Sequence, residues 1–206
     1  MAEIEYFYSA HSGYAYIGSV KFMQIAAAGG HTITHRPMDL RAVVAVTGPG
    51  PTNSLTPQRS AYFSGREIER WAEARGIGIL ARPTHHDNGI ALSNGMLIAG
   101  LQQGVDIGPL AHRMLEGHWR DDADLDDRDT LAALGWEAGI DPAPLLDAAL
   151  SPEIQAIYDA NTQEAIERSI FGSPTYFVGG DMFYGQDHLE LVERALVKPF
   201  SGSWPR

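Results

Sequence analysis

The stretch from Phe171 to Asp187 constrains the fold of this chain more than any other part of the sequence. Two short apolar runs, Tyr176–Val178 and Met182–Tyr184, are separated by Gly179–Asp181. Apolar runs that a Gly-Gly turn joins are typical of a β-hairpin, because both turn positions need a positive φ. The sequence therefore predicts a hairpin near the carboxyl terminus.

A proline stands directly before the first strand of this hairpin. Because proline has no backbone N–H, Gly172–Pro174 is predicted to form the mouth of the strand. The Ser173–Pro174 bond is a candidate for the cis form, which costs only ~0.5–1 kcal/mol before proline. The backbone N–H and C=O of Ser173 would then face outward, where an extended peptide can pair with them.

A final helix is predicted to follow the hairpin. Leu189, Val192 and Leu196 lie at helical spacing. Asp187 precedes them and has the position of an N-cap, with its carboxylate at the positive end of the helix.

The amino-terminal part of the chain has the pattern of a β-α-β unit. Ile4–Tyr8 and His31–Met38 are predicted strands, and Tyr14–Ala28 is the helix between them. The first turn brings Ser12 to the N-terminus of this helix, at the strand end where α/β proteins bind ligands and where anions are favoured. Ser12 is therefore either a plain helix cap or part of a site.

Between these two ends, residues 41–165 are predicted to be nearly all helical. This pattern divides the chain into a first domain, residues 1–40 with 166–206, and a helical insertion domain, residues 41–165. Within the insertion, the six aspartates of 121–129 are predicted to form a solvated loop rather than a cation site. Asp126 or Asp129 is the predicted cap of the helix that begins at Thr130.

Histidines offer two further interpretations. His85–Asp87 is a rival metal site, but adjacent histidines rarely converge on one ion and no third ligand follows at helical spacing. We therefore predict no metal. His11 is predicted to be a solvent-exposed turn residue rather than a general acid or base.

Composition excludes several classes of function. The formal net charge of −11 argues against nucleic acid or an anionic membrane as partner. The 206 residues include no cysteine, which excludes disulfides and any nucleophilic thiol of the protein's own. No 18-residue apolar run and no signal-peptide pattern is present, which predicts a cytoplasmic protein without a membrane span.

Three segments carry a resemblance to known proteins. They are the turn Tyr8–Tyr16, the loop Gly50–Asn53 followed by Pro57–Tyr62, and the terminal pair Phe171–Val178 and Met182–Asp187. In that order they resemble three motifs of the 2-hydroxychromene-2-carboxylate isomerases and the kappa-class glutathione transferases: a Ser-Pro-Tyr-x-Tyr turn, an Asn-containing loop with Pro-x-Lys-x-x-Tyr, and a carboxyl-terminal motif. The Gly-Gln-Asp ending favours the isomerase branch.

The resemblance implies an α/β, DSBA-like thioredoxin fold with a large all-helical insertion. Related disulfide oxidoreductases carry Cys-x-x-Cys where this chain has Ser12–Ala15. The thiol must then come from outside, and the resemblance implies glutathione, with Ser12 as the catalytic residue. The implied glutathione-binding residues are Asn53, Arg59, Ser173, Pro174, Gln186 and Asp187.

The sequence also departs from the family pattern. Gly13 replaces the usual proline, which predicts a more mobile turn. Arg59 replaces lysine, His188 stands where relatives tend to have arginine, and Thr84–Asn94 matches poorly in the region that helps relatives hold the substrate carboxylate.

The activity that the resemblance implies is glutathione-dependent cis–trans isomerisation of an aromatic unsaturated 2-oxo acid, in aromatic hydrocarbon catabolism. A small aromatic substrate and a homodimer are the implied partners. The alternatives are a kappa-class-like glutathione transferase and a non-catalytic thioredoxin-like binding protein.

Overall fold

The computed structural model describes residues 1–48 and 56–205, and its strands form one four-stranded sheet in the order β2-β1-β3-β4. β1 is parallel to β2, whereas β1 and β3, and β3 and β4, are antiparallel. The predicted β-α-β unit and hairpin are both confirmed. The strands are β1 Glu3–Tyr8, β2 Thr32–Pro37, β3 Thr175–Val178 and β4 Asp181–Tyr184.

Helices make up the rest of the regular structure, and the part of 41–165 that the structure describes contains no strand. The predicted thioredoxin-like fold with an all-helical insertion is therefore confirmed. The helices are α1 Gly13–Gly29, α2 Leu40–Thr47, α3 Pro57–Ala61, α4 Glu67–Arg75, α5 Ala91–Gln102, α6 Gly108–Asp121, α7 Arg128–Glu137, α8 Ala143–Ala148, α9 Pro152–Glu167 and α10 Leu189–Val197, with a π-helical turn Tyr62–Arg66 and a 3₁₀ turn Gln186–His188.

The hairpin turn has the chemistry that the sequence predicts. Gly179 and Gly180 have φ values of 59° and 84°. A two-residue turn with both φ values positive matches the right-handed twist of the flanking strands, and glycine adopts this conformation without a steric cost. The turn sets the register in which Tyr176 pairs with Phe183.

Stacked tyrosines form the sheet face that supports α1. The Tyr6 ring lies parallel to those of Tyr8 and Tyr176, with centroids 4.1 and 5.3 Å away. Phe22 of α1 packs against Tyr6 and Tyr176 at 4.7 and 4.8 Å. These residues belong to one hydrophobic core that continues into α5 and α6 through Met96 and other apolar side chains. The aromatic layer thereby fixes the direction in which α1 leaves the end of β1.

An ion pair closes the opposite face of the sheet. The Arg168 guanidinium lies 3.7 Å above the centre of the Phe177 ring and binds the Glu5 carboxylate of β1 at 2.7 and 2.9 Å. The hydrogen bond from Arg168 holds the pKa of Glu5 below its usual value, against the opposing effect of burial. The pair therefore connects β1 to the C-terminal end of α9.

Glu5→Gln is expected to lower the free energy of unfolding at pH 7 by about 0.5–1 kcal/mol, because the pair is partly screened by solvent. A carboxyl whose pKa is lower in the folded state stabilises above its unfolded pKa, and this contribution disappears as the pH falls through the folded pKa. The difference between variant and parent should therefore shrink below about pH 4. Urea unfolding of parent and variant at pH 7 and at pH 3.5 measures this difference in the free energy of unfolding.

Glu73→Gln is the control for this prediction, since Glu73 is exposed on α4 and has no ion pair with another described residue. It should leave stability unchanged at both pH values. A Glu5→Gln deficit that is the same at pH 7 and pH 3.5 would contradict the linkage.

Candidate active site

The turn between β1 and α1 carries the predicted catalytic serine. Ser12 is the N-cap of α1, and its Oγ accepts a hydrogen bond from the Ala15 N–H at 3.3 Å. The same hydroxyl donates its proton to the Ser173 carbonyl at 3.1 Å. Only 6% of Ser12 is exposed. Ser12 is therefore a helix cap and, in addition, contacts the loop before β3.

Ser173 joins this loop to the end of β1. The Ser173–Pro174 bond is cis, the form for which the sequence made it a candidate. The Ser173 hydroxyl oxygen accepts from the Ser9 N–H at 3.3 Å, while its carbonyl accepts from Ser12. In the described part of the chain, the Ser173 N–H has no hydrogen-bond partner. It remains available to an acceptor from outside.

A cleft of about 180 Å³ opens beside Ser173. Its walls come from α1, the π-helical turn before α4, α4 itself, the loop before β3 and the end of the hairpin. The Tyr14 hydroxyl donates to the Phe63 carbonyl at 2.6 Å. The cleft brings Ser173 and Asp187 together, with Ser12 directly behind Ser173. Its lining includes Tyr14, Glu67, Trp71, Ser173, Tyr184 and Asp187.

Asp187 does not cap the final helix, so that prediction is wrong. The residue lies inside the 3₁₀ turn Gln186–His188, α10 begins only at Leu189, and no side chain caps either segment. The 3₁₀ turn moves the helix start downstream and leaves the Asp187 side chain exposed at the cleft, 3.7 Å from Nδ1 of His188. Its carboxylate is therefore available to a ligand.

Gln186 is buried beneath the cleft rather than facing it. Only 1% of the residue is exposed, and its Oε1 accepts from Nη2 of Arg75 at 3.2 Å. A Cβ on Gly18 of α1 would lie 2.6 Å from the Gln186 Cβ, so the glycine makes room for this side chain. The side chain of Gln186 thus connects α1, α4 and the 3₁₀ turn, and its predicted ligand role stays a prediction.

The structure does not test the roles of two predicted binding residues. Asn53 lies outside the described residues. Arg59 is exposed on the short helix α3, and its guanidinium has no hydrogen bond or ion pair with another described residue. The roles of both residues stay predictions.

Gly13 is required by a contact that the sequence analysis missed. A Cβ at this position would lie 2.8 Å from Cζ2 of Trp119, and the Trp119 indole N–H donates to the His11 carbonyl at 2.8 Å. The indole of α6 therefore packs directly on the turn. The structure explains the absence of the usual proline by lack of space, whereas the sequence suggested a gain in mobility. No local pattern marks a partner that is 106 positions away.

The prediction for His11 is wrong, because only 5% of the residue is exposed. Its Nδ1 lies 2.8 Å from Oγ of Ser9, and its ring faces that of His86 with centroids 5.3 Å apart. Burial lowers the pKa of His11 to about 3 and that of His86 to about 4. Both imidazoles are therefore neutral at neutral pH.

The aspartate-rich segment after α6 does more than contact solvent. Asp122 accepts from both the N–H and the hydroxyl of Thr84 at 2.6 Å, and Asp124 accepts from the Asn88 amide at 2.9 Å. These bonds hold the loop 83–89, which contains His86, against α6. Residues 122–127 form the solvent-accessible loop that the sequence predicts, and its carboxylates in addition accept hydrogen bonds from residues distant in sequence.

The cap of α7 is also different from the predicted one. Asp127 accepts from the Thr130 N–H at 2.7 Å, whereas Asp126 accepts from the Gly89 N–H. The predicted caps, Asp126 and Asp129, are wrong because α7 begins at Arg128, two residues earlier than expected. Among the described residues, no group of three His, Asp or Glu side chains is arranged to hold a metal ion.

The sequence of this chain matches a known protein family and is similar to several of its characterised members. The family described as the DSBA-like thioredoxin domain matches residues 3–197. The chain belongs to this family. A 2-hydroxychromene-2-carboxylate isomerase from Pseudomonas sp. (strain C18) is 26% identical over 194 residues, which are 94% of this chain and 89% of that protein. The family resemblance that the motifs predicted is confirmed.

Solved structures show the same DSBA-like fold. A selenomethionine 2-hydroxychromene-2-carboxylate isomerase matches with a TM-score of 0.76 and 25% identity, over 95% of each chain. The cytosolic disulfide reductase DsbM from Pseudomonas aeruginosa, whose structure contains GSH, matches with a TM-score of 0.61 and 17% identity, over 96% of this chain and 93% of that one. No helix in 1–48 or 56–205 has the length and apolarity that crossing a membrane requires.

Proposed function

We propose that this protein is a glutathione-dependent cis–trans isomerase of an aromatic α,β-unsaturated 2-oxo acid, acting in aromatic hydrocarbon catabolism. The observation that carries the proposal is the Ser12 hydroxyl, which lies at the N-terminus of α1 and contacts Ser173 beside a cleft that Asp187 lines. The isomerases among the curated relatives and the GSH in the DsbM structure support it.

The chain has no cysteine, so the reacting thiol belongs to glutathione. A free thiol has a pKa of about 8.5, and only a few per cent is thiolate at neutral pH. The Ser12 hydroxyl has one proton, and in the structure this proton makes a hydrogen bond to the Ser173 carbonyl. When the thiolate binds, Ser12 donates to the sulfur instead, and the positive end of the α1 dipole favours the anion.

This exchange releases the Ser173 carbonyl for the peptide. The Ser173 carbonyl then accepts a hydrogen bond from the cysteinyl N–H of glutathione, and the Ser173 N–H donates to the cysteinyl carbonyl. The peptide thereby pairs with the backbone beside Pro174 as an added strand does. Asp187 binds the γ-glutamyl ammonium at the other end of the cleft, and backbone N–H groups of the 3₁₀ turn, including that of Gln186, face the γ-glutamyl carboxylate. Asn53 binds the glycyl part of glutathione, and Arg59 pairs with a carboxylate of glutathione or of the substrate.

The reaction begins when the thiolate adds to the carbon–carbon double bond. The new C–S bond shifts the π electrons onto the carbonyl oxygen, and the former double bond becomes a single bond that rotates. The enolate then restores the double bond and expels the thiolate, so that no atom is gained or lost. Hydrogen-bond donors near the enolate oxygen stabilise the intermediate.

Conversion of cis-benzylidenepyruvate into its trans isomer, followed by absorbance, tests the proposal. We expect turnover that requires glutathione and that S-methylglutathione inhibits. A rate that glutathione does not change would overturn the proposal. Conjugation of a chlorinated arene without isomerisation would instead indicate the kappa-class-like transferase, and binding of glutathione without either reaction would indicate a non-catalytic binding protein.

We also propose that the protein is a cytoplasmic homodimer.

Asp187→Asn is expected to raise the dissociation constant of glutathione about tenfold, because a charged hydrogen bond is worth roughly 1.5–3 kcal/mol. Isothermal titration calorimetry measures this change. The melting temperature without glutathione should stay the same, since Asp187 caps no helix, while the stabilisation by glutathione should shrink.

Glu190→Gln is a matched control for this change. Glu190 is an exposed carboxylate in the first turn of α10 and does not line the cleft. It should leave the glutathione affinity unchanged. An Asp187→Asn variant that binds glutathione as tightly as the parent would remove Asp187 from the ligand site.

A further inference from the structure

A second cavity, of about 490 Å³, opens between the last turns of α1 and the start of α6, with β2 as its floor. We call it the α1–α6 groove. It shares no lining residue with the cleft beside Ser173. Most of its wall is apolar and includes Met23, Ala26, Leu101, Val105 and Ile107.

A small inner chamber of about 20 Å³ adjoins the groove, since Met23, Ile33, His35 and Gly108 line both cavities. Tyr6 of β1 also lines the chamber. This volume is sufficient for one atom of about the size of a water molecule. The chamber can therefore take a single polar atom of a larger molecule whose body fills the groove.

The Tyr6 hydroxyl is a buried polar group without a partner. Only 3% of the residue is exposed, and no atom of the described residues makes a hydrogen bond with the hydroxyl. The ring is fixed by stacking against Tyr8 and Tyr176. A buried hydroxyl without a partner has lost its hydrogen bonds to water and gained none, which is destabilising. An oxygen that accepts from Tyr6 would remove this cost.

The other polar side chains of the chamber already have partners. Oγ of Ser19 donates to the Tyr16 carbonyl at 2.8 Å. Because Ser19 has a single proton, Nδ1 of His112 must donate to the same Oγ, also at 2.8 Å. Nδ1 of His35 lies 3.0 Å from the Tyr8 hydroxyl. Tyr6 is thus the side chain of the chamber that most needs an acceptor.

The groove is nearly uncharged. Asp106 is its one carboxylate among the residues that the structure describes, and no described lysine or arginine lines it. Burial lowers the pKa of His35 to about 4, so this imidazole is neutral at neutral pH. Nδ1 of His31 accepts from the Ala2 N–H at 3.1 Å and therefore carries no proton, so this ring is neutral as well. An anion would meet a carboxylate and no cation, which disfavours glutathione and 2-oxo acids here.

We propose that the α1–α6 groove binds a small neutral molecule with an apolar body and one hydrogen-bond-accepting oxygen, such as an aromatic ketone. The body fills the groove, and the oxygen enters the chamber and accepts from the Tyr6 hydroxyl. Apolar cavities of about 300–1,000 Å³ with a few polar groups are the usual form of small-molecule sites. This site is separate from the proposed function, because it uses no residue of the Ser12 turn or the cleft.

Acetophenone, ethylbenzene and benzoate test the site, because the three probes have similar shapes and differ in their polar group. The ¹³C methyl signal of Met23, which lines both cavities, follows each titration. We expect acetophenone and ethylbenzene to bind and benzoate to bind more weakly than either. Tyr6→Phe removes only the hydroxyl, so it should weaken acetophenone binding about fivefold and leave ethylbenzene binding unchanged.

Tyr176→Phe is the matched control for the hydroxyl. The Tyr176 hydroxyl is also buried without a partner among the described residues, but Tyr176 lines neither cavity. This change should leave acetophenone binding as in the parent. Ala27→Phe places a ring in the mouth of the groove and should weaken both probes, whereas Ala28→Phe, equally exposed but outside the lining, should not.

Acetophenone binding that Tyr6→Phe leaves unchanged would overturn the inference. Binding that Ala27→Phe leaves unchanged, or a parent protein that binds neither neutral probe up to its solubility, would also overturn it. Glutathione affinity should stay the same in all four variants. A failure of this site therefore leaves the proposed function intact, and absence of isomerase turnover would leave this site intact.

Discussion

Replacing Ser12 with alanine is expected to lower isomerase turnover roughly ten- to a hundredfold, with little change in the affinity for glutathione. In the proposed mechanism, the Ser12 hydroxyl stops donating its hydrogen bond to the Ser173 carbonyl and donates it to the thiolate instead. A hydrogen bond to a charged atom is worth about 1.5–3 kcal/mol, and each 1.36 kcal/mol changes a rate about tenfold.

The loss should have a signature in the pH profile. Without the donor, the bound thiolate is less favoured, so the pKa of the bound thiol should rise by about one to two units. The rate of Ser12→Ala should therefore recover part of its deficit at higher pH. Stopped-flow absorbance from pH 6 to pH 9 measures both effects.

Ser151→Ala provides a matched control, because Ser151 is the N-cap of α9 and its Oγ accepts from the Ile154 N–H at 3.4 Å. That change removes a helix cap far from the cleft, so it should cost about 0.5–2 kcal/mol of stability and leave turnover unchanged. If Ser12→Ala behaves like Ser151→Ala, Ser12 is only a helix cap.

Gly13→Ala is expected to destabilise the protein by about 1–3 kcal/mol, since a methyl group has no room against the Trp119 indole. The indole is held in place by its hydrogen bond to the His11 carbonyl, and an added Cβ would lie 2.8 Å from Cζ2 of the ring. For a domain of this size, each 1 kcal/mol corresponds to roughly 2–4 °C in melting temperature. Calorimetry of the purified variant measures the shift.

Two comparisons isolate the cause of this loss. Gly65→Ala adds a methyl group where no atom of the other described residues lies within 4 Å, and it should leave stability nearly unchanged. In a Trp119→Phe background, where the ring is smaller, Gly13→Ala should cost less, and the difference is the coupling energy of the pair. An equal cost in both backgrounds would show that the indole is not what requires glycine at this position.

Local patterns in the sequence determined much of the fold and the position of Ser12. The Gly179–Gly180 turn, the apolar strands beside it and the helix after Ser12 each depend on residues that are neighbours in the chain. Turn conformation and side-chain periodicity are properties of such short segments, so the sequence alone is sufficient to predict them. The family motifs then predicted the thioredoxin-like fold that family comparison confirms.

Only the tertiary structure decided which of these local features face a ligand and which are buried. Trp119 closes the turn at Gly13, Asn94 orients His11 through Ser9, and the 3₁₀ turn leaves Asp187 at the cleft. The first two contacts join residues about a hundred positions apart, which α5 and α6 bring to the end of β1. Burial and hydrogen-bond partners depend on this packing, and it leaves no periodic signal in the sequence near the residues it affects.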